Sequence, residues 1–520
     1  MATAPVFPPH HPSATKAGPR EWAALAVLML PVLLVSVDNT VLAFALPEIS
    51  SALQPTGAQQ LWIIDAYPLV LAGLLVAMGS LGDRIGRRRL LLIGSTGFAA
   101  VSVAAAYAPS AELLIAARGA LGFFGAMLMP STLSLLRNIF LDGDQRRFAI
   151  AIWASCFAAG AALGPIVGGF LLEHAWWGSV FLLAVPVLLP LLVLAPMFVP
   201  ESKDPSPGRI DVVSIALSML ALAPLVYAIK RLAGDGPGLT ALVPAGVGVV
   251  ALVLFVRRQL RRPDPMLDVR LFRVSAFSGA VIVNLLSVFS LVGFLFFVSQ
   301  HLQLVIGKSP MQAGIALVPG LAVMVVAGMS VVLLVRWIRP ASIIVAALLL
   351  SAMGYGLVLM LASPSAVTPI IVAFAVLGAG IGAAETLSND LIVSSVPASK
   401  AGAASAVSET AYEMGAVLGT AVLGSILTAS YASHLVVPAG IDAAQATAAQ
   451  QTLGGAHAVA ETLPPAQAEA LLAAAGSAFD SGVAITSAIG ATLMVVSAVI
   501  AWRMLRPRQN QDLGKPAALV

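Results

Sequence analysis

Apolar segments of about 20 residues recur along the whole chain, and they constrain its fold more than any other feature. Each segment is long enough to cross the roughly 30 Å hydrocarbon core of a bilayer as a helix. Hydrophobic residues make up 59% of the 520 positions and charged residues only 10%, so no water-soluble core could bury this much apolar surface. The sequence therefore predicts an all-α membrane protein.

Both the number of segments and their orientation can be predicted. We place fourteen segments, and only Ala108-Pro109-Ser110 separates the third from the fourth. With both termini in the cytoplasm, all but four of the 28 Lys and Arg residues lie in cytoplasmic stretches, as the positive-inside rule requires. Those four are Arg118, Lys230, Arg231 and Lys308. The approximate segments are 22–45, 59–81, 89–107, 112–136, 147–172, 178–199, 210–231, 240–257, 275–298, 310–334, 341–361, 367–393, 401–429 and 483–504.

The longest predicted external segment, 430–482, contains no Lys or Arg but carries four acids, and Pro464 and Pro465 precede a stretch with helical character. Two interpretations remain open for it. It is either a solvated loop or a short helical hairpin that lies over the extracellular mouth and affects access.

The turn between the second and third segments reads GSLGDRIGRRRLLLIG at 79–94. Gly82 and Gly86 permit a tight turn, and Asp83 can pair with a basic residue across a domain interface. The basic residues of this turn are placed to contact anionic lipid headgroups. They include Arg84, Arg87 and Arg88. The pattern resembles the signature loop of major facilitator transporters.

Three further stretches narrow the resemblance. The fourth segment carries Arg118 within AARGALGFFGA, the fifth carries GAALGPIVGGFLLE at 160–173, and the first carries LPVLLVSVDNTVLAFALPEIS at 30–50. Together they resemble the fourteen-helix drug:proton antiporters, in particular the QacA-like exporters of quaternary ammonium compounds. The fifth-segment motif is typical of antiporters rather than symporters. Its positions are Gly160, Gly164, Pro165, Gly168 and Gly169.

This resemblance implies a major facilitator fold, in which two six-helix bundles surround a central cavity and two extra helices lie between them in the sequence. The corresponding ranges are a disordered cytoplasmic tail at 1–21, bundles at 22–199 and 275–504, a linker with the two extra helices at 200–274, and a cytoplasmic tail at 505–520. It also implies a monomer in the bacterial plasma (inner) membrane. The implied partners are lipophilic cations such as ethidium, protons and membrane lipids, with no nucleic acid.

Acids within apolar segments are functional candidates, because burying a carboxylate in lipid costs at least about 2.5 kcal/mol. Asp38 has Asn39 and Thr40 beside it, and the resemblance implies a role in proton coupling or cation attraction. Asp65 either guides a cation or reaches external water as an interfacial acid. Asp38 could instead be satisfied by a neighbouring helix.

Glu409 and Glu413 lie four residues apart and so share one helical face. Two buried acids that close together cannot both ionise cheaply, so one is expected to exchange its proton for a cation. A packing pair bonded to neighbouring side chains is the alternative. Glu385 either adds a second attracting charge or hydrogen-bonds within its Gly-rich helix. Met324 stands where some exporters of dications carry an acid, so the resemblance favours monocations over dications unless Glu385 substitutes for that acid.

The remaining candidates are mechanical or aromatic. Arg118 either tunes nearby acids or makes a structural ion pair. The Gly and Pro residues of the fifth segment allow close, bent helix packing that could seal the cavity against protons. Aromatic side chains could line the cavity and attract organic cations, although ordinary packing is the alternative. These are Trp153, Phe157, Phe294, Phe297 and Tyr412.

The sequence also indicates the energy source. It contains no Walker-type phosphate loop, no metal-ligand spacing and no loop large enough for a catalytic domain, so neither an ATP-driven pump nor an enzyme is expected. A proton gradient, without a cofactor, is the expected driving force. The competing interpretation is an exporter of an endogenous lipid or metabolite with the same fold.

Overall fold

A computed structural model describes residues 16–203, 211–234, 236, 238–263, 265–361, 367–396 and 401–505. All regular secondary structure in these ranges is helical. The helices are α1 Pro19–Leu53, α2 Gly57–Ile85, α3 Arg87–Ala106, α4 Ala111–Ile139, α5 Gly143–His174, α6 Ser179–Phe198, α7 Val212–Gly234, α8 Leu239–Arg261, α9 Ser275–Gln300, α10 Pro310–Leu334, α11 Pro340–Leu361, α12 Val367–Ser394, α13 Ala401–Gly419 with its continuation through a π turn to His434, α14 Ala443–Gln451, α15 Leu453–Ala460 and α16 Pro465–Met504.

Among the described residues, thirteen helices are long and apolar enough to span a membrane, and α5, which bends by 40°, makes fourteen. The predicted all-α fold is confirmed. Several helices extend beyond the predicted spans; for example, α1 begins at Pro19 and α16 at Pro465, ahead of the predicted spans 22–45 and 483–504. The Ala-rich stretch before 483 forms helix readily, although its hydropathy is too low to mark a span. The outer parts of both predicted tails, 1–15 and 506–520, lie outside the described residues.

Local sequence signals set the helix starts. The Thr56 hydroxyl accepts a hydrogen bond from the Gln59 backbone N–H, and the Gln59 side chain accepts one from the Thr56 backbone N–H. Ser309 and Gln312 repeat this capping box before α10. Each box satisfies two backbone donors at a helix end, where the intrahelical pattern leaves them unpaired. The capping residues thus fix where α2 and α10 begin.

The spanning helices form two groups. Helices α1 to α6 pack together through the pairs α1–α5, α2–α4 and α3–α4, and α9 to α13 pack with α16 through α10–α12, α11–α12 and α9–α13. One end of the molecule carries the α2–α3 turn, and we name it the motif face. The opposite end carries α14 and α15, and we name it the hairpin face.

The two bundles meet in the half of the molecule next to the hairpin face. There the Gly57 Cα of α2 approaches the Thr428 side chain of α13, and Gly169 of α5 approaches the Met311 backbone of α10. Gln60 Nε2 donates to Gln300 Oε1 at 3.4 Å, and Gln303 Nε2 donates to the Phe44 carbonyl at 3.2 Å. These contacts close the hairpin face in this conformation.

Part of the 430–482 segment is helical and bridges the bundles at the hairpin face. The Tyr431 hydroxyl on α13 donates to the Ala449 carbonyl of α14 at 2.9 Å. At the start of α15, Gly454 lies against the Ser50 side chain of α1. The segment therefore contacts both bundles, with the geometry of the helical hairpin that the sequence left as one of two interpretations.

The inserted helices α7 and α8 lie at the periphery. Of the 18 residues in the most apolar stretch of each helix, only 22% are buried, against 72% for α1 and α2. α8 packs mainly on α7, whereas α7 contacts both α2 and α13. Asp211, which precedes α7, pairs with Arg258 Nη2 at 2.8 Å and Arg262 Nη1 at 2.6 Å. Burial alone would raise the pKa of Asp211, but hydrogen bonds from Arg258 and Ser214 lower it below its usual range.

Glycines let α5 approach α1 so closely that hydroxyl side chains of α1 donate hydrogen bonds to backbone carbonyls of α5. Pro165 has no N–H, so the Ala161 carbonyl lacks its usual intrahelical partner, and the Thr40 hydroxyl of α1 donates to it at 3.2 Å. A Cβ added at Gly164 would lie 1.9 Å from Thr40 Oγ1. On the opposite side of α5, the Pro165 carbonyl lies against Gly314 of α10. α5 is thus packed tightly between α1 of its own bundle and α10 of the other bundle.

We expect Gly164→Ala to lower thermal stability and slow transport, because overpacking a tight contact costs about 1–3 kcal/mol. Gly246→Ala on α8 is the matched control, since a Cβ there would meet nothing within 4 Å. Thermal unfolding of both purified variants tests this, together with transport rates in liposomes. Equal melting temperatures for the two variants would contradict the role given to the α1–α5 contact.

Candidate functional site

Asp38 of α1 is paired with Arg118 of α4 inside the first bundle. Arg118 Nη1 donates to Asp38 Oδ2 at 2.8 Å, and its Nε donates to the Ile63 carbonyl of α2 at 3.1 Å. The guanidinium carbon lies 4.6 Å from the centre of the Tyr67 ring. Only 2% of the Arg118 side chain and 9% of the Asp38 side chain is exposed. The guanidinium therefore links α1, α2 and α4.

Three acids of the second bundle form a chain that reaches this pair through Glu413. Glu413 lies beside Asn39 of α1 and within direct electrostatic range of Asp38, Arg118 and Glu409. Glu385 of α12 interacts with Glu409 in turn. The structure thus brings together four of the five acids predicted from the sequence, and Asp65 borders this group within electrostatic range of Arg118. We name Asp38, Arg118, Glu385, Glu409 and Glu413 the acidic cluster.

Exposure within the acidic cluster is graded. Along α13, Glu409 lies nearer the motif face and is partly exposed, whereas Glu413, one turn further, is buried. Glu385 is also partly exposed, and Asp390, one turn nearer the motif face on α12, is exposed. The exposed side of the acidic cluster is therefore the side nearer the motif face.

The acidic cluster has more negative than positive groups. It contains four carboxyl groups and a single guanidinium, and one oxygen of buried Glu413, Oε2, has no hydrogen-bond partner among the described residues. Carboxylates this close in a membrane interior cannot all ionise without counter-charges. The arrangement can hold protons, or it can hold a positively charged ligand in their place.

Aromatic side chains flank the acids on one side. Trp153 and Phe157 of α5 stack with ring centres 6.3 Å apart, and Phe157 meets Tyr412 of α13 edge-on at 5.7 Å. Tyr412 lies within electrostatic range of all three acids of the second bundle. These three aromatic residues therefore span the interface between the bundles beside the acidic cluster, where they can provide ring faces to a cation.

Two other aromatic residues do not line a cavity in this structure, contrary to the sequence expectation. Phe294 and Phe297 are 0% and 2% exposed. Phe294 stacks on Phe374 with ring centres 5.1 Å apart and also contacts Tyr355, so both residues belong to the core of the second bundle. α9 is apolar on all sides, so its sequence does not indicate which face is buried.

Asp65 borders the acidic cluster at Arg118 and has its own counter-ion. Lys230 Nζ of α7 lies 2.8 Å from Asp65 Oδ2 and 3.9 Å from the centre of the Trp62 ring. Both charged side chains are buried. The sequence analysis placed Lys230 at the external end of its predicted segment and gave it no role, so its role was missed. A Lys at the end of an apolar segment, with an acid in another segment, was the available signal.

The signature turn docks on the end of α6. Gly86 has φ 112°, a value that favours glycine. Its backbone N–H donates to the Gly82 carbonyl and ends α2. Asp83 pairs with Arg87 Nη2 at 2.7 Å within the same turn, and no pairing of Asp83 across the bundle interface is present among the described residues. Glu201, which the sequence analysis did not identify, accepts from the Arg88 backbone N–H at 3.0 Å. The carboxylate thereby caps the start of α3.

The side chains of the signature turn differ in exposure. Gly82 is buried, whereas Arg84 is exposed and free to contact lipid headgroups. Among the described residues, no group of three or more His, Cys, Asp or Glu side chains has the geometry to hold a metal ion.

Known proteins resemble this chain along most of its length. The Major Facilitator Superfamily profile matches residues 28–420. The chain is 58% identical over 489 residues to the multidrug efflux pump LfrA of Mycolicibacterium smegmatis, covering 94% of this chain and 97% of that protein. It is 36% identical over 498 residues to the methyl viologen resistance protein SmvA of Salmonella typhimurium, covering 95% and 100%.

Solved structures share the fold at low sequence identity. A bacterial homologue of the human lysosomal transporter Spinster, in an inward-facing and unoccupied conformation, has a TM-score of 0.64 at 17% identity, covering 94% of this chain and 99% of that chain. With its two helical bundles, the buried charges between them and the family match, the chain belongs to the Major Facilitator Superfamily and is a multi-pass membrane transporter, not an enzyme.

Proposed function

We propose that this chain is a proton-coupled multidrug exporter of lipophilic organic cations, such as quaternary ammonium compounds and ethidium. The observation that carries the proposal is the charge imbalance of the acidic cluster, in which four carboxyl groups face one guanidinium. Such a cluster binds either protons or an organic cation, and this exclusive choice is what an antiporter needs. The aromatic residues Trp153, Phe157 and Tyr412 supply the apolar, cation-attracting wall.

The names of the relatives support export of drugs. One relative is a multidrug efflux pump, another is named for resistance to methyl viologen, and a third is a tetracenomycin C resistance and export protein of Streptomyces glaucescens, 32% identical over 502 residues. The chain covers nearly the full length of the first two relatives, so the similarity extends over the whole transport pathway.

The orientation is part of the proposal. The distribution of Lys and Arg supports both termini, and with them the motif face, in the cytoplasm of a bacterium, and the hairpin face outside its plasma membrane. The acidic cluster then opens to the cytoplasm in this conformation. A single chain contains both bundles and the cluster between them, so a monomer suffices for transport.

The transport cycle follows from this orientation. A cation from the cytoplasm or inner leaflet enters beside Glu409 and Glu385 and displaces protons from the acidic cluster. The contacts at the hairpin face then break as the bundles rock, and the cation leaves. Protons from outside neutralise the carboxylates and return the protein to the starting conformation, so the proton gradient drives the cycle without a cofactor.

The test is transport by the purified chain in liposomes. Ethidium is followed while a pH gradient is imposed without ATP, and proton movement is recorded with a pH-sensitive dye. We expect gradient-dependent ethidium transport with counter-movement of protons. Absence of transport for several organic cations, in protein shown to be folded, would contradict the proposal and favour an exporter of a lipid or metabolite.

A further inference from the structure

Lys230 carries a positive charge from the inserted helix α7 into the interface between the bundles. A Lys side chain normally places its ammonium in water while its methylene groups cover apolar surface. Here the side chain is 3% exposed and the partner Asp65 is 0% exposed. Since burying two charges is expensive even when they pair, the arrangement calls for an explanation beyond stability.

Three helices meet at this ion pair. Asp65 lies on α2 of the first bundle and Lys230 on α7, while Thr420 of α13 in the second bundle lies beside the carboxylate. The surrounding residues are apolar and include Leu69, Val226, Val417 and Ala421. The pair therefore occupies a dry pocket at the contact between the bundles, in the half of the molecule next to the hairpin face.

The pocket has the composition of a cation site. Trp62 presents its ring to the ammonium at 3.9 Å and Asp65 presents an oxygen at 2.8 Å. An aromatic face combined with a carboxylate in an apolar shell recognises organic ammonium ions, because ring quadrupole and carboxylate both attract positive charge. In this conformation the ion that fills the pocket belongs to the protein itself.

The pocket lies between helices of different bundles, so we expect its occupant to change during transport. α2 and α13 belong to different bundles and touch at this level, so they must separate when the hairpin face opens. Lys230 is on a third, peripheral helix and need not follow Asp65. Opening of this face thus exposes a carboxylate and a Trp ring along the path that leads out from the acidic cluster.

We propose that Asp65 and Trp62 form a second cation site on the exit side, and that Lys230 is its built-in occupant, which an organic monocation must displace. This inference rests on the proposed function. The Lys230 ammonium occupies both an oxygen of Asp65 and the face of the Trp62 ring, so it competes with the substrate for these two groups and keeps its affinity low at this site. Lys230 then reoccupies the site as the hairpin face closes, which prevents rebinding of the released cation.

The experiment measures equilibrium binding of ethidium to the full-length protein in nanodiscs, without a gradient, by fluorescence anisotropy. Lys230→Met vacates the site, so ethidium is expected to bind roughly tenfold more tightly than to wild type. In Asp65→Asn/Lys230→Met, which also removes the attracting charge, the gain is expected to disappear. Arg231→Met is the matched control, since the neighbouring Arg231 donates to the Tyr227 hydroxyl at 3.0 Å, and wild-type affinity is expected.

A purely structural role predicts different results. If the ion pair only joins the helices, Lys230→Met destabilises the protein without tightening ethidium binding, and that outcome overturns the inference. Lys230→Gln is measured in parallel, because its amide can still donate to Asp65 and preserve the fold while the charge is lost. Wild-type protein that transports ethidium, with no gain in either variant, refutes the second site alone, whereas wild type that transports no cation refutes the proposed function.

Discussion

Arg118→Met is expected to abolish gradient-driven transport and to lower the thermal stability of the protein. The variant removes the only cation of the acidic cluster and leaves Asp38 without its 2.8 Å partner. Breaking one side of a buried ion pair costs about 3–5 kcal/mol, because the remaining group is left uncompensated. Arg118→Lys is expected to fail too, since an ammonium cannot reproduce the planar donors that reach both Asp38 and the Ile63 carbonyl.

A double variant separates the structural part of this effect from the functional part. Asp38→Asn/Arg118→Met removes both charges, so it is expected to recover most of the lost melting temperature while transport stays absent. The measurements are thermal unfolding of each purified variant and ethidium transport in liposomes under an imposed pH gradient. Recovery of transport in the double variant would show that the pair only stabilises the first bundle.

Residue type was enough to find the acidic cluster from the sequence. Asp38, Glu409 and Glu413 stand out because a carboxylate inside an apolar segment is costly wherever it faces, so the inference needs no knowledge of packing. Their mutual proximity was only partly predictable. The spacing of Glu409 and Glu413 puts them on one face of α13, but only the tertiary fold places Asp38 and Glu385 beside them.

What the sequence could not supply depends on which helices touch. The Lys230–Asp65 pair joins residues 165 positions apart, and Lys230 stands at the end of its apolar segment, where a Lys usually reaches the headgroups. Phe294 and Phe157 are equally apolar in the sequence, yet one packs in the core and the other faces Tyr412 across the interface. Helices that are apolar all round contain no signal that distinguishes these positions.

Glu201 shows a similar limit in a polar region. It follows a predicted span and looks like an ordinary charged loop residue. In the structure its carboxylate accepts from the Arg88 and Ser202 backbone N–H groups, both at 3.0 Å, which fixes the signature turn against α6. The need for a carboxylate there arises from unpaired N–H groups at the start of α3, and these become visible only once the turn is folded.

Glu413→Gln is expected to uncouple transport from the proton gradient while the fold remains intact. The amide is nearly isosteric with a protonated carboxyl group, so it fits the buried position, but it can neither release a proton nor attract a cation. Glu413 is the most deeply buried acid of the second-bundle group, and its Oε2 lacks a hydrogen-bond partner among the described residues.

The decisive readout is the pH dependence of cation binding. In wild type, protonation neutralises the carboxylates, so ethidium affinity is expected to rise with increasing pH and to fall as the pH is lowered. In Glu413→Gln this dependence should weaken, and uphill transport should fall at least about tenfold, which corresponds to roughly 1.4 kcal/mol of lost driving interaction. Glu469→Gln, at an exposed position on α16, is the control. If Glu413→Gln retains wild-type pH dependence and proton counter-flow, the proton is carried by another acid of the cluster.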